Sequence, residues 1–371
     1  MKKNSRTGAT YLVLALLAAA FVSCAGAPKN AKTQTYQAFS GKVTAIEKYG
    51  HAVTDIPFAD MQKAGYAHGD VVTVTFDNGF TFDAPVVSGY EVDKGAYLVR
   101  TGYASGFIAA CINYGKLNVT AKIDVGSKIT VSMKQKAGYY EQYEVRSLAR
   151  TDKREDYSSD EVFANFRAVS GGSIGKNIVF RGSHPAKKGW TRATFVSKLM
   201  EQAGIVTVIN MSDSADELAA YLDAANPQAS AYYRSISEKG NVVCLSMNTD
   251  FTSSEFAAQI VAGLRFMISH KGPYYIHCNE GKDRTGFMGI LLESLAGATK
   301  EEMLADYMQS YINFYHVEKG TKKFDIIAKT NFDPMLASIA GTKTPAEGAK
   351  AYLTSHGMSD TEISSLLSIL K

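Results

Sequence analysis

The sequence predicts an α/β domain, a mainly parallel sheet covered by helices, preceded by a small all-β barrel-like domain. Three observations carry that expectation. The first is size and composition: 371 residues exceed one typical domain, and 46% hydrophobic with 20% charged residues is globular composition rather than disorder. The second is a change of pattern along the chain. Short valine- and threonine-rich runs separated by turn residues fill residues 36–148, whereas apolar runs alternate with helical stretches over residues 164–371. The third is the dense charge between them. Arg150, Asp152, Lys153, Arg154, Glu155 and Asp156 crowd residues 149–163, which read as a solvated linker.

At the amino terminus, Lys2, Lys3 and Arg6 precede a 12-residue apolar run over 11–22. That run is short of the roughly 20 residues a spanning helix needs. A basic start and a short apolar core instead read as a secretory signal peptide. Phe21-Val22-Ser23-Cys24 resembles a bacterial lipobox, with Phe21 in place of the usual leucine. The expectation is a signal peptide over 1–23, a lipid on Cys24 and a polar tether over 24–35. The protein would then be exported and held on a bacterial membrane; otherwise it would be periplasmic or secreted. Removing three basic signal residues lowers the formal charge from +4 to +1, which gives no case for a nucleic-acid partner. Of the four cysteines, Cys111, Cys244 and Cys278 remain if Cys24 is lipidated, so at least one thiol is free. No C-x-x-C spacing occurs, and no metal site is expected.

In the first domain, residues 71–76 and 80–82 flank Asp77-Asn78-Gly79. Asn-Gly between two β-rich runs predicts a hairpin, because both turn residues tolerate positive φ. Residues 97–100, 106–112 and 128–133 read as further strands of a barrel or sandwich. Lys48-Tyr49-Gly50, Ala52-Val53-Thr54, Pro57, Gly95 and Ile112-Asn113-Tyr114-Gly115 are similar to the small barrel domain of S-adenosylmethionine hydroxide adenosyltransferases. That resemblance implies architecture alone, because the large nucleotide-binding half of that family is absent.

In the second domain, residues 177–180, 205–209, 242–247 and 274–277 read as buried strands. Thr252…Glu255, Thr299…Glu302 and Ser359…Glu362 are capping-box patterns that open helices. A parallel sheet places its ligand site beyond the carboxyl ends of its strands. At such an end stands His277-Cys278-Asn279-Glu280-Gly281-Lys282-Asp283-Arg284-Thr285-Gly286, followed by a helix. A thiol that accepts a phosphoryl group must react as its thiolate. A helix amino terminus favours negative charge there, and a tight loop can turn its amides inward as a nest for phosphate oxygens. Arg284 adds a planar fork for two of those oxygens, which lysine could not reproduce.

This cysteine-x5-arginine loop resembles the cysteine-dependent protein tyrosine phosphatase superfamily, in its bacterial dual-specificity and lipid phosphatase branch. Val179-Phe180-Arg181-Gly182-Ser183, Val208-Ile209-Asn210 and Asp306-Tyr307-Met308-Gln309-Ser310 extend the resemblance over about residues 164–371. The resemblance implies that Cys278 and Arg284 are catalytic. Asn279, Glu280, Gly281, Lys282 and Thr285 would line the phosphate loop, with Thr285 assisting the sulfur as leaving group. Lys282 would point over the site and attract extra phosphate charge. His277 would orient the loop. Two aspartates compete as general acid: Asp250, in the loop before a helix and 28 positions ahead of Cys278, and Asp283 inside the loop. Asp213 is a poorer third. Cys111 and Cys244 read as small buried residues; Cys244 could also serve as a redox partner of Cys278.

The implied function is phosphomonoester hydrolysis through a phosphocysteine, without metal or cofactor, on phosphotyrosine protein or phosphoinositide substrates. An inositol polyphosphate (phytase-like) substrate is an alternative. So is a non-catalytic adaptor that captures phosphorylated ligands, although intact Cys278 and Arg284 argue against it.

Overall fold

The computed structural model describes residues 35–371, so the expected signal peptide, the Cys24 lipid site and nearly all of the tether lie outside the described residues. Seven strands build the first domain: β1 (Phe39–Ile46), β2 (Ala52–Pro57), β3 (Val71–Phe76), β4 (Thr81–Val87), β5 (Tyr97–Arg100), β6 (Phe107–Ile112) and β7 (Lys128–Gln135). They close as a barrel in the order β1-β2-β6-β5-β4-β3-β7, which leaves no sheet edge unpaired. Alternation fills the interior: Val72, Val74 and Phe76 point inward while Thr73 and Thr75 face outward. The β3–β4 hairpin stands where Asn-Gly predicts it, but only Gly79 takes positive φ, at 86°. Asn78 instead accepts the Phe80 amide on its side chain at 3.0 Å, a local turn that needs no left-handed asparagine.

The second domain holds β8 (Arg167–Ala168), β9 (Val179–Gly182), β10 (Thr207–Asn210), β11 (Val242–Cys244) and β12 (Tyr274–His277). Their order is β11-β10-β12-β9-β8, parallel except for β8. Each inner strand feeds both faces by alternation. Ile209 and Ile276 pack with Val261, Leu264, Phe287 and Leu291 on one face. Val208 and Tyr275 pack with Val196, Leu199, Tyr233 and Ile236 on the other. Three strands are displaced or shortened relative to the sequence expectation, 177–180 running as 179–182, 205–209 as 207–210 and 242–247 as 242–244. Asn177 at φ 58° and Ser246 at φ 47° are left-handed, so extended chain cannot run through either.

Capping boxes form at Thr299–Glu302 and Ser359–Glu362 as expected, and also at Ser214–Glu217 and Thr344–Glu347. The helix Ser254–Ser269 is different: its cap is Ser253, which accepts the Phe256 amide, and not Thr252. Residues 149–163 are not simply solvated. Asp152 pairs with the buried Arg192, which also donates to the Thr151 carbonyl. Among the described residues no helix is long and apolar enough to cross a membrane.

Candidate active site

The segment from Cys278 to Asp283 joins the end of β12 to the helix Arg284–Leu295. Three consecutive carbonyls at its centre are held from behind. The Asn279 carbonyl accepts the His184 amide at 2.9 Å, the Glu280 carbonyl accepts Asn165 Nδ2 at 3.1 Å, and the Gly281 carbonyl accepts Arg181 Nη2 at 3.0 Å. With the carbonyls fixed outward, the amides of residues 279–283 find no acceptor among the described residues. They form the inward nest that a phosphate group needs. Gly281 makes the turn with φ 69°, and a Cβ there would stand 2.1 Å from the Gly182 carbonyl oxygen, so only glycine fits.

Behind the loop lies a buried charge cluster. Asp306 holds both Arg181 and Arg167, and Arg167 also donates to Asn165 Oδ1 at 2.8 Å. Gly289 on the following helix lets the Arg181 guanidinium approach; a Cβ there would lie 2.9 Å from its Nη1. Arg181 and Asp306 belong to two of the three flanking matches noted in the sequence, and they hold the loop's back. His277 is fully buried and donates Nδ1–H to the Cys278 carbonyl at 3.1 Å. Burial, with His184 nearby, pushes its pKa down to about 3, so it is neutral. His184 accepts the Ala186 amide on Nδ1, so its Nε2–H donates to Asp213, at 2.5 Å. Burial alone would raise the Asp213 carboxyl, but the His184 and Asn210 hydrogen bonds hold it well below the carboxylate range. A carboxylate committed to these two partners is not placed to protonate a leaving group.

The loop opens on a cavity of about 300 Å³ lined by Arg150, Trp190, Thr249, Cys278, Asn279, Glu280, Asp283 and Arg284. Cys278 is 3% exposed, at its floor. Arg284 Nη1 donates to the Met211 and Met247 carbonyls at 3.2 and 2.7 Å, while Nε has no partner. The structure therefore brings together Cys278, Arg284, Asn279, Glu280 and Asp283, with Thr285 next in the chain, buried, its hydroxyl without a partner among the described residues.

Two expected residues stand elsewhere. Lys282 does not overhang the cavity. Its ammonium donates to the Tyr315 hydroxyl at 3.2 Å, lies 3.3 Å from Glu280 and sits over the Tyr311 and Tyr315 rings. Burial would lower its pKa, but Asp283, Tyr311 and Glu280 keep it charged and raise it. Asp250 lies outside the cavity lining, fully exposed, and takes the Thr252 amide and hydroxyl at 3.1 and 2.7 Å. Those bonds lower its pKa, the wrong direction for an acid. Asp283 differs on each count. Its carboxylate caps nothing, and Asp283 lines the cavity with its side chain partly exposed and Lys282 Nζ 3.9 Å away. Burial raises its pKa against the pull of Lys282 and Arg284.

Sequence reasoning missed two walls. Arg150 donates to Glu280 Oε1 at 3.1 and 2.8 Å and stacks between Trp190 and Phe314. Lys187 donates to Asn279 Oδ1 at 2.6 Å and lies over Trp190. A single tryptophan in 371 residues was a signal for Trp190; nothing local marked Arg150. Among the described residues no His, Cys, Asp or Glu cluster is arranged to hold a metal ion.

A sequence model of the tyrosine phosphatase family matches residues 163–371, leaving the barrel and Arg150 outside the match. No curated protein matches the chain. Among solved structures, the core catalytic domain of the PP-IP phosphatase SIW14 from S. cerevisiae is 17% identical, over 47% of this chain and 91% of that one, with a TM-score of 0.28. P. aeruginosa TpbA is 15% identical over 45% and 94%, with a TM-score of 0.26. An uncharacterized conserved protein from Thermotoga maritima is 27% identical over 26% of this chain, with a TM-score of 0.24. The chain spans only 36% of the Thermotoga protein's length, and 34% of that of a conserved hypothetical protein from Thermus thermophilus. With the family matched across more than half of this chain's length, and with the cysteine and arginine of the loop in place, this chain belongs to the tyrosine phosphatase family.

Proposed function

We propose that Cys278 Sγ attacks the phosphorus of a phosphomonoester bound in the nest of loop amides. Arg284 and those amides hold the non-bridging oxygens as charge redistributes. Asp283 protonates the departing oxygen as the P–O bond breaks, leaving a phosphocysteine. The Asp283 carboxylate then takes a proton from the water that attacks phosphorus, and the Thr285 hydroxyl steadies the sulfur as the S–P bond breaks. His277 fixes the Cys278 carbonyl and so the direction of the side chain.

The substrate favoured is a phosphotyrosyl protein. The observation that carries this reading is the Trp190 wall: an aryl phosphate entering the 300 Å³ cavity can lay its ring beside Trp190 while its phosphate reaches Cys278. An overhanging Lys282 would have favoured a phosphoinositide-like substrate with extra phosphate charge, but its ammonium is occupied by Glu280 and Tyr315. A panel of phosphotyrosine peptides, phosphoinositides and inositol phosphates tests this, with Cys278→Ser as the blank. Higher kcat/KM on the peptides supports the reading; higher kcat/KM on inositol phosphates replaces it.

The proposal extends to location. Cys24 would carry a lipid that tethers the enzyme outside the cytoplasm, as the sequence suggests. Labelled palmitate should enter the wild type and not Cys24→Ser. An unlabelled wild type would remove the anchor.

A further inference from the structure

We propose that the barrel carries a second small-molecule site, separate from the phosphatase cavity, that binds a sugar ring. Five large hydrophobic side chains are exposed among the described residues, and three of them, Tyr49, Tyr90 and Tyr114, surround one cavity of about 610 Å³. Tyr114 is 85% exposed and sits at φ 58°, a left-handed conformation that bulky residues rarely take. It caps the tight turn from Ile112 to Gly115. Folding gains nothing from exposing these rings, and strain of this kind gathers at binding sites.

The floor is polar and fixed. His51 Nδ1 donates to Glu47 Oε2 at 3.1 Å, which leaves Nε2 as an acceptor with no partner in the protein. Glu47 is held in turn by the Tyr103 hydroxyl at 2.8 Å. Arg100 donates to the Tyr90 hydroxyl at 3.2 Å and lies over the rings of both Tyr90 and Tyr103. Asn113 gives its Nδ2 to the Val92 carbonyl at 2.9 Å, so its Oδ1 is a second free acceptor. An apolar cup with a few convergent, immobile polar atoms is the usual form of a small-ligand site.

The shape and the chemistry select the ligand. Two acceptors on the floor call for donors on the ligand's edge, as hydroxyl groups supply. Tyr49 and Tyr90 are tilted by 45° and 49° to the His51 ring, and no two of the three tyrosines stack on each other. Parallel rings would grip a flat base. Splayed rings suit a puckered ring with apolar C–H faces and polar edges, which is a pyranose.

The experiment is calorimetric titration of the full chain with neutral trisaccharides of glucose and of N-acetylglucosamine, and with adenosine as a flat ring. The expected result is saturable sugar binding that weakens by about tenfold, the equivalent of one lost contact of about 1.4 kcal/mol, in Tyr114→Ala and in Tyr49→Ala. Both side chains are exposed, so the variants should fold, and p-nitrophenyl phosphate turnover should be unchanged. The proposal is overturned by absence of saturable binding to either sugar, by equal binding in the variants, or by binding of adenosine in place of sugar.

Discussion

The barrel and the phosphatase domain are both tightly packed, but they bury different things. The barrel interior is mainly apolar, built on Val43, Ile56, Val72, Val74, Val86, Val99, Ile129 and Val131, with His51, Thr54 and Asp70 among its few buried polar side chains. The phosphatase domain buries Arg181, Arg192, His184, His277, Glu293 and Asp213 beside its apolar core. Burying unpaired charge is costly, and replacing such pairs by apolar groups is often neutral or stabilising. The groups here cluster behind and beside one loop, so the cost is incurred where carbonyls must be held outward and amides inward. The lesson is that the family's distant matches, Arg181 and Asp306, are structural supports for the chemistry and not spare catalytic groups.

The largest effect that sharpens this comparison concerns the two aspartates. Asp283→Asn should slow hydrolysis of an alkyl phosphate by roughly 10²–10⁴-fold. It should slow p-nitrophenyl phosphate far less, because that leaving group departs without a proton. Its raised pKa means the acid form is lost as pH rises, so the variant should also lose the basic limb of the pH–rate profile. Asp250→Asn should leave both substrates near wild type. The reverse pattern, with leaving-group dependence at Asp250, would place the acid on the β11-to-helix loop.

Next in size is a paired test of the two interiors. Arg181→Met leaves Asp306 short of a partner in the buried cluster and should cost about 3–5 kcal/mol, with kcat falling because the Gly281 carbonyl is freed. Val74→Ala in the barrel should cost about 1–3 kcal/mol while kcat on p-nitrophenyl phosphate stays unchanged. Denaturant unfolding read beside kinetics separates them; equal kcat in both variants would break the contrast.

The smallest effect is a pH slope. His277 is held neutral, with a folded pKa near 3 against about 6.5 in the unfolded chain. The folded state therefore refuses a proton that the unfolded state binds. Its stabilising share is full above about pH 6.5 and is lost as pH falls from there toward 3. Asp213, held low in the fold, acts further down: its share is full above about pH 3.9 and is lost as pH falls through its folded value. Urea unfolding between pH 7 and 4.5 should show the slope in wild type and a shallower one in His277→Gln.

Much of this was legible in the sequence because the signals are local. The Cys278–Arg284 spacing, the hairpin at Gly79 and the strand 274–277 each depend on residues close in the chain. What was not legible depends on distant partners. Arg150 finds Glu280 across 130 positions, and its charged surroundings look like any solvated segment. Lys282 was expected over the site, but Tyr311 and Tyr315 from a later helix draw it away. The Thr252 cap failed for the opposite reason: Asp250, two residues earlier, claims that hydroxyl, and Ser253 is left to cap the helix.

The central claim is that Cys278 carries the phosphoryl group. Acid-quenched turnover of a ³²P-labelled phosphotyrosine peptide tests it most directly. The account predicts label bound covalently to the wild type, accumulating further in Asp283→Asn if that residue activates water, and absent from Cys278→Ser, which should be inactive yet still bind phosphate. Label retained on Cys278→Ser, or undiminished turnover by that variant, would contradict it.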